Sequence, residues 1–144
     1  QIVVQPAHKF FGFMEVDAYG SKVQMADQEK TLLDSLDRLG YAGDIPEIAA
    51  MLWHARNRLN WPRMADFALR FRSQSLLQRL GYLTDALEIE TPPGFREALL
   101  SGIGYNVCYL GQPSRWKMQP QYNPTWKLMV NIPKKELLTD IEVR

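Results

Sequence analysis

Thr125-Trp126-Lys127-Leu128-Met129-Val130-Asn131-Ile132 alternates without a break, with Trp126, Leu128, Val130 and Ile132 pointing one way and Thr125, Lys127, Met129 and Asn131 the other. Alternation of this length marks a strand with one buried face. Pro133 ends it. Upstream, Tyr105 to Leu110 is aromatic and β-branched and is bounded by Gly111 and Pro113, which predicts another strand. The intervening stretch, Gln112 to Pro124, is rich in proline and glutamine and reads as a loop.

Before these strands the period is helical. Leu32, Leu33, Leu36 and Leu39 share one helical face, Asp27 is a good N-cap and Gly40 a good terminator, so a helix is expected over about 27 to 39. Asp44 and Pro46 open the next, with Ile48, Ala49, Leu52, Ala55 and Leu59 at helical spacing. Trp61-Pro62 interrupts it before Met64, Phe67, Ala68 and Phe71 form a third stripe. Ser73 caps a fourth helix carrying Leu76, Leu77, Leu80, Leu83 and Leu87, and Thr91-Pro92-Pro93 opens a short fifth that ends at Gly102. At the N-terminus Ile2-Val3-Val4 reads as a strand. Phe10 to Val16 and Lys22 to Met25 read as a hairpin turning through Asp17 to Ser21. The order of strands, helices and strands predicts an α+β fold: N-terminal strands and hairpin, a central block of about five helices, and C-terminal strands returning to one mixed or antiparallel sheet.

With 144 residues, 46% of them hydrophobic and 23% charged, the chain has the size and composition of a single domain, 1–144, with a core of its own. No apolar run is long enough to span a membrane, and a cytoplasmic protein is expected. The chain opens on Gln1 rather than a methionine and shows no signal-peptide pattern, so residues upstream of Gln1 are expected in the natural protein.

The residue types present exclude several chemistries. Nucleophilic catalysis needs a base beside its Ser or Cys, yet only His8 and His54 are available and neither stands in a nucleophile frame. Cys108, His8 and His54 are singletons and do not make a zinc set. Gly102-Ile103-Gly104 lacks the rest of a dinucleotide fingerprint and reads as a helix-to-strand turn. No catalytic, metal or cofactor site is therefore assigned. Asp27 and Glu29 fit the first turn of a helix, where carboxylates oppose the helix dipole, and Asp34 and Asp37 fall off the leucine face and read as solvated. Trp53, Trp61, Phe67 and Phe71 fit a core better than a stacking surface.

The net charge of +1 conceals an uneven distribution: −4 over residues 1–53, +5 over 54–82, −3 over 83–108 and +3 over 109–144. The central block holds Arg56, Arg58, Arg63, Arg70, Arg72 and Arg79 against a single Asp66. These arginines are solvated helix faces in the plain reading. In the functional reading they form a basic interaction surface suited to phosphates or carboxylates.

Three segments together resemble one family. Ala26-Asp27-Gln28-Glu29-Lys30-Thr31-Leu32-Leu33-Asp34, Arg79-Leu80-Gly81-Tyr82-Leu83 and Tyr122-Asn123-Pro124-Thr125-Trp126-Lys127-Leu128-Met129-Val130-Asn131-Ile132 look like the C-terminal domain of AbiEi-type antitoxins, in order, over about residues 10 to 137. Gln28 stands where that family usually has proline. The resemblance implies a non-enzymatic antitoxin and transcriptional repressor of a bacterial abortive-infection toxin–antitoxin system. Its partners would be operator DNA and a nucleotidyltransferase-like toxin, and its DNA contacts would come mainly from a winged helix upstream of this chain. Two alternatives stand beside it: a metal-dependent nuclease using Asp27, Glu29 or Glu15 with Lys22 or Lys30, and a structural dimerisation domain.

Overall fold

The computed structural model describes residues 23–38 and 44–142. Within them, five helices precede a small sheet: α1 (Val23–Asp37), α2 (Ile45–Ala55), α3 (Trp61–Arg70), α4 (Gln74–Ala86) and α5 (Phe95–Ser101). The strands β1 (Cys108–Tyr109), β2 (Gln121–Asn123) and β3 (Leu128–Val130) follow, and then two one-turn helices, α6 (Lys134–Leu137) and α7 (Thr139–Glu142). The sheet is mixed, in the order β1-β3-β2, with β1 parallel and β2 antiparallel to the central β3. No helix among the described residues is long and apolar enough to cross a membrane.

Several helix ends follow from local chemistry. Asp44 caps α2 with a reciprocal capping box, its carboxylate accepting from Ile45 N while its own N–H donates to Glu47 at 2.8 Å. Asn60 Oδ1 accepts from Arg63 N at the start of α3, where Trp61-Pro62 opens the helix because proline needs no donor in a first turn. Ser73 caps α4 through Leu76 N. The far ends of α3 and α4 run against the usual residue choice. Both terminate through a left-handed residue that is not glycine, Arg72 (φ 57°) and Glu88 (φ 55°). At Glu88 the hydrogen bonds are those of a Schellman turn, Glu88 N to Asp85 O and Ile89 N to Thr84 O, and buried Ile89 supplies the apolar contact that holds it.

The core gathers the leucine face of α1, the apolar sides of α2 to α5 and one side of the sheet. Leu33, Leu36, Leu52, Met64, Leu80, Leu99, Trp126 and Leu128 are all fully enclosed. Helix α4 is central, packing against α1, α3, α5 and β3. Its sheet-facing stripe is polar and small rather than apolar: Gln74, Gln78, Gly81 and Asp85 recur at helical spacing. Gln74 accepts from Gly104 N and donates to Asn106 O. Gln78 Nε2 lies within 2.8–3.1 Å of the carbonyls of Asn106, Trp126 and Lys127, and its Oε1 accepts from Cys108 Sγ. The Trp126 ring lies over Gly81 and its indole N–H donates to Asp85 at 2.9 Å. Across the sheet, the Asn131 side chain pairs with both backbone groups of Gly111 at 2.8 Å. That pairing extends the β1–β3 ladder by one rung made from a side chain.

Several expectations need correction. Val23 to Met25, expected as the end of a hairpin strand, are helical, so α1 begins at Val23 and Asp27 lies within it rather than capping it. The remainder of that hairpin and the strand at Ile2 to Val4 lie outside the described residues. The two expected C-terminal strands shrink to Cys108–Tyr109 and Leu128–Val130, because Asn106, Trp126 and Lys127 direct their carbonyls at Gln78 instead of a neighbouring strand. The loop at Gln112 to Pro124 contributes β2, which forms a hairpin with β3 through Asn123 Oδ1 accepting from Trp126 N and left-handed Lys127 (φ 53°). Buried Asn131 breaks the expected alternation for the sake of its Gly111 pairing.

Two substitutions test this account. A Cβ at Gly81 would lie 2.2 Å from the buried Trp126 ring, so Gly81→Ala is expected to destabilise by about 1–3 kcal/mol or more, although alanine in a helix interior normally gains about 1 kcal/mol over glycine. Glu88→Gly should instead stabilise by about 1 kcal/mol, because it relieves a left-handed backbone. Urea unfolding of the three proteins reads both signs.

Candidate functional site

The six arginines of the central block do not share one environment. Arg79 is the farthest from a free surface cation. It leaves α4 to donate through Nε to Tyr109 O at 3.1 Å and through Nη1 to Leu36 O at 3.0 Å, joining the end of α1 to the outer edge of β1. Burial lowers its pKa from the usual arginine value, with Cys108 and Asp37 acting the other way. A guanidinium remains charged at neutral pH all the same. The positive charge also suits the C-terminal turn of α1, where carbonyls collect. Arg79 therefore acts in holding the sheet to the helices.

Arg56 is half-buried. Its guanidinium lies 3.6 Å from the centre of the Trp53 ring and its Nη1 donates to Trp53 O at 2.7 Å, while Arg56 O accepts from the Trp61 indole. Arg63 lies beside the Phe67 ring at 5.3 Å and close enough to Glu29 to act on its titration. These two arginines support the turn between α2 and α3. Arg58, Arg70 and Arg72 are exposed. Arg58 reaches back to His54 O at 3.3 Å, and Arg70 pairs with Asp66 at 3.3 Å with both side chains about half exposed. An exposed pair of this kind is worth about 0–1 kcal/mol, so the guanidinium can leave it for a phosphate at little cost.

Arg58 and His54 also form the rim of a cavity of about 320 Å³ between α1 and α2, lined further by Gln28, Leu32, Ala50 and Met51. The floor is apolar and the rim polar.

Of the carboxylates, Glu29 departs most from its expected place. It is fully buried, and its Oε2 accepts from Asn60 N at 2.6 Å while Oε1 has no hydrogen-bond partner. The signal was present in the sequence, since Glu29, Leu32, Leu33 and Leu36 fall on a single helical stripe. Nor is Asp34 simply solvated: it receives Lys30, itself buried, at 3.2 Å, and Lys30 also lies 5.0 Å from the Phe71 ring. Glu29 and Lys30 thus serve the packing of α1 on α3, whereas Glu15 and Lys22 lie outside the described residues. Among the described residues no group of three or more His, Cys, Asp or Glu is placed to hold a metal ion. Cys108 is half-buried, and burial raises its thiol pKa against the opposing pull of Arg79.

Burial pushes the Glu29 carboxyl above the usual carboxylate range; the Asn60 N–H and Arg63 work in the opposite direction and do not outweigh it. The folded state therefore holds this proton to higher pH than the unfolded state, and stability drains away as pH rises from the ordinary carboxylate pKa to the raised one. Glu29→Gln keeps the acceptor for Asn60 and cannot ionise. Its melting temperature relative to the native protein should accordingly rise between about pH 4.5 and pH 7. A difference that stays flat across that interval would contradict the assignment.

Compared with family models, known proteins and solved structures, the chain has no match in any of the three.

Proposed function

We propose that this chain is the antitoxin domain of a bacterial transcriptional regulator of the AbiEi type, acting without catalysis on operator DNA and against a nucleotidyltransferase-like toxin. One observation supports it above others. The three segments that carry the family resemblance are far apart in sequence yet meet around α4. Arg79 of the second segment donates to Leu36 of the helix that the first segment builds. Gly81 of the second receives the ring of Trp126 from the third. Residues that form one packing unit are what a domain signature would contain, whereas a chance resemblance gives no reason for its parts to touch.

Within this reading the basic surface narrows from six arginines to Arg58, Arg70 and Arg72, the exposed ones. Contact with DNA phosphates through such residues is electrostatic, and each contact adds about 0.9 to the salt slope of the affinity. The apolar hollow beside Arg58 and His54 is available to a protein partner.

Co-expression with the nucleotidyltransferase-like toxin of the same locus should restore growth. Changing Arg58, Arg70 and Arg72 together to Glu should lower affinity for promoter DNA at least about tenfold and flatten its salt dependence. Failure of the native chain to rescue growth sinks the antitoxin reading. Promoter affinity that ignores the triple reversal removes these arginines from it.

A further inference from the structure

Among the described residues, the sheet has one face against α4 and one face with no element packed on it. In the register, Cys108, Leu128 and Asn123 form a row, and enclosed Leu128 marks it as the inner one. Tyr109, Met129 and Tyr122 form the next row, and side chains of neighbouring residues in a strand point to opposite faces. The outer face thus shows two tyrosines flanking a methionine. They are separated by two interstrand spacings, about 10 Å. Tyr109 and Tyr122 are 39% and 50% exposed, and Val107 and Tyr105, which lead into β1, are 51% and 96% exposed. Lys127 Nζ lies 5.5 Å from the centre of the Tyr105 ring, its side chain held by Gly104 O at 2.8 Å.

The charge of this layer is one-sided. From Ala98 to Lys135, a stretch that contains the whole sheet, there is no Asp or Glu, against Lys117, Lys127, Lys134, Lys135 and Arg115, the last of which pairs with Asp44 at 2.7 Å. Exposed aromatic rings on a sheet, with the Lys127 cation beside Tyr105 and no carboxylate in this stretch of chain, combine two features that recognise a flexible polyanion with π-faces. A duplex suits this face poorly, because its bases are already stacked and a sheet face cannot reach them without entering a groove. We propose that the outer face of the β1-β3-β2 sheet binds single-stranded nucleic acid, with bases stacked on Tyr109 and Tyr122 and phosphates near Lys127. The site uses none of Arg58, Arg70 and Arg72 and does not depend on the antitoxin reading.

The test is fluorescence anisotropy of the 144-residue chain at low salt with labelled oligouridine and oligothymidine of about 12 nucleotides, and with a duplex of equal length. At least one single strand should bind about tenfold or more tightly than the duplex. A preference for oligouridine would identify RNA as the source, and a preference for oligothymidine DNA. Tyr109→Ala and Tyr122→Ala should each weaken binding about fivefold or more, while the Phe variants retain it. Lys127→Gln should reduce the salt slope by about 0.7. The proposal is overturned if neither single strand binds, if the duplex binds equally well, or if the alanine variants bind like the native chain with unchanged circular dichroism. It is also overturned if light scattering shows a homodimer that the alanine variants dissociate, since the face would then be an interface between copies.

Discussion

The contact between Gly81 and the Trp126 ring is the constraint on which the rest of the structure depends. A side chain at position 81 would hold the sheet away from α4, because its Cβ would stand 2.2 Å from an enclosed indole. With hydrogen in its place, Trp126 comes close enough for its N–H to reach Asp85, which in turn takes Arg96 in a two-pronged ion pair. The same approach brings the carbonyls of Trp126 and Lys127 to Gln78. Close packing and polar satisfaction are thus one event here: each of those buried carbonyls would be costly if the helix stood even slightly further off.

Arg79, from the same turn of α4, carries this arrangement outward. It completes the edge of β1 at Tyr109 and the end of α1 at Leu36, so a residue that reads as surface charge unites three elements. Division of labour among the arginines follows. Those with carbonyl or aromatic partners, Arg56, Arg63 and Arg79, hold the fold, and Arg58, Arg70 and Arg72 lie at the surface. A sum of charges over residues 54–82 cannot separate the two groups, because both carry the same formal charge.

Elements whose causes are local were legible in advance. Asp44 with Pro46, Ser73 before its leucines, and Gly102 after a short helix each act within a few residues of themselves, and each stands where the pattern puts it. The start of α1 differs from the expectation, because Val23 to Met25 read as the end of a strand yet belong to an amphipathic helix. The polar stripe Gln74, Gln78, Gly81 and Asp85 gives no signal in the apolar pattern. A search for apolar periodicity passes over a helix face whose partners are backbone carbonyls. Glu29 was misjudged by residue type alone, since its position on the leucine stripe already marked it as inward.

By itself the sequence determined the mixed helix-and-strand class, the caps at Asp44 and Ser73, the leucine faces and the identity of the arginine block, because these rest on periodicity and on hydrogen bonds between near neighbours. Only the tertiary structure decided which arginines remain outside, that Glu29 is buried, that the sheet is mixed with β3 at its centre, and that Tyr109 and Tyr122 share its open face. Those outcomes depend on which distant segments meet. The meeting is set by a single missing side chain at Gly81 and by the carbonyls that Gln78 and Arg79 satisfy across some 28 to 49 residues of chain.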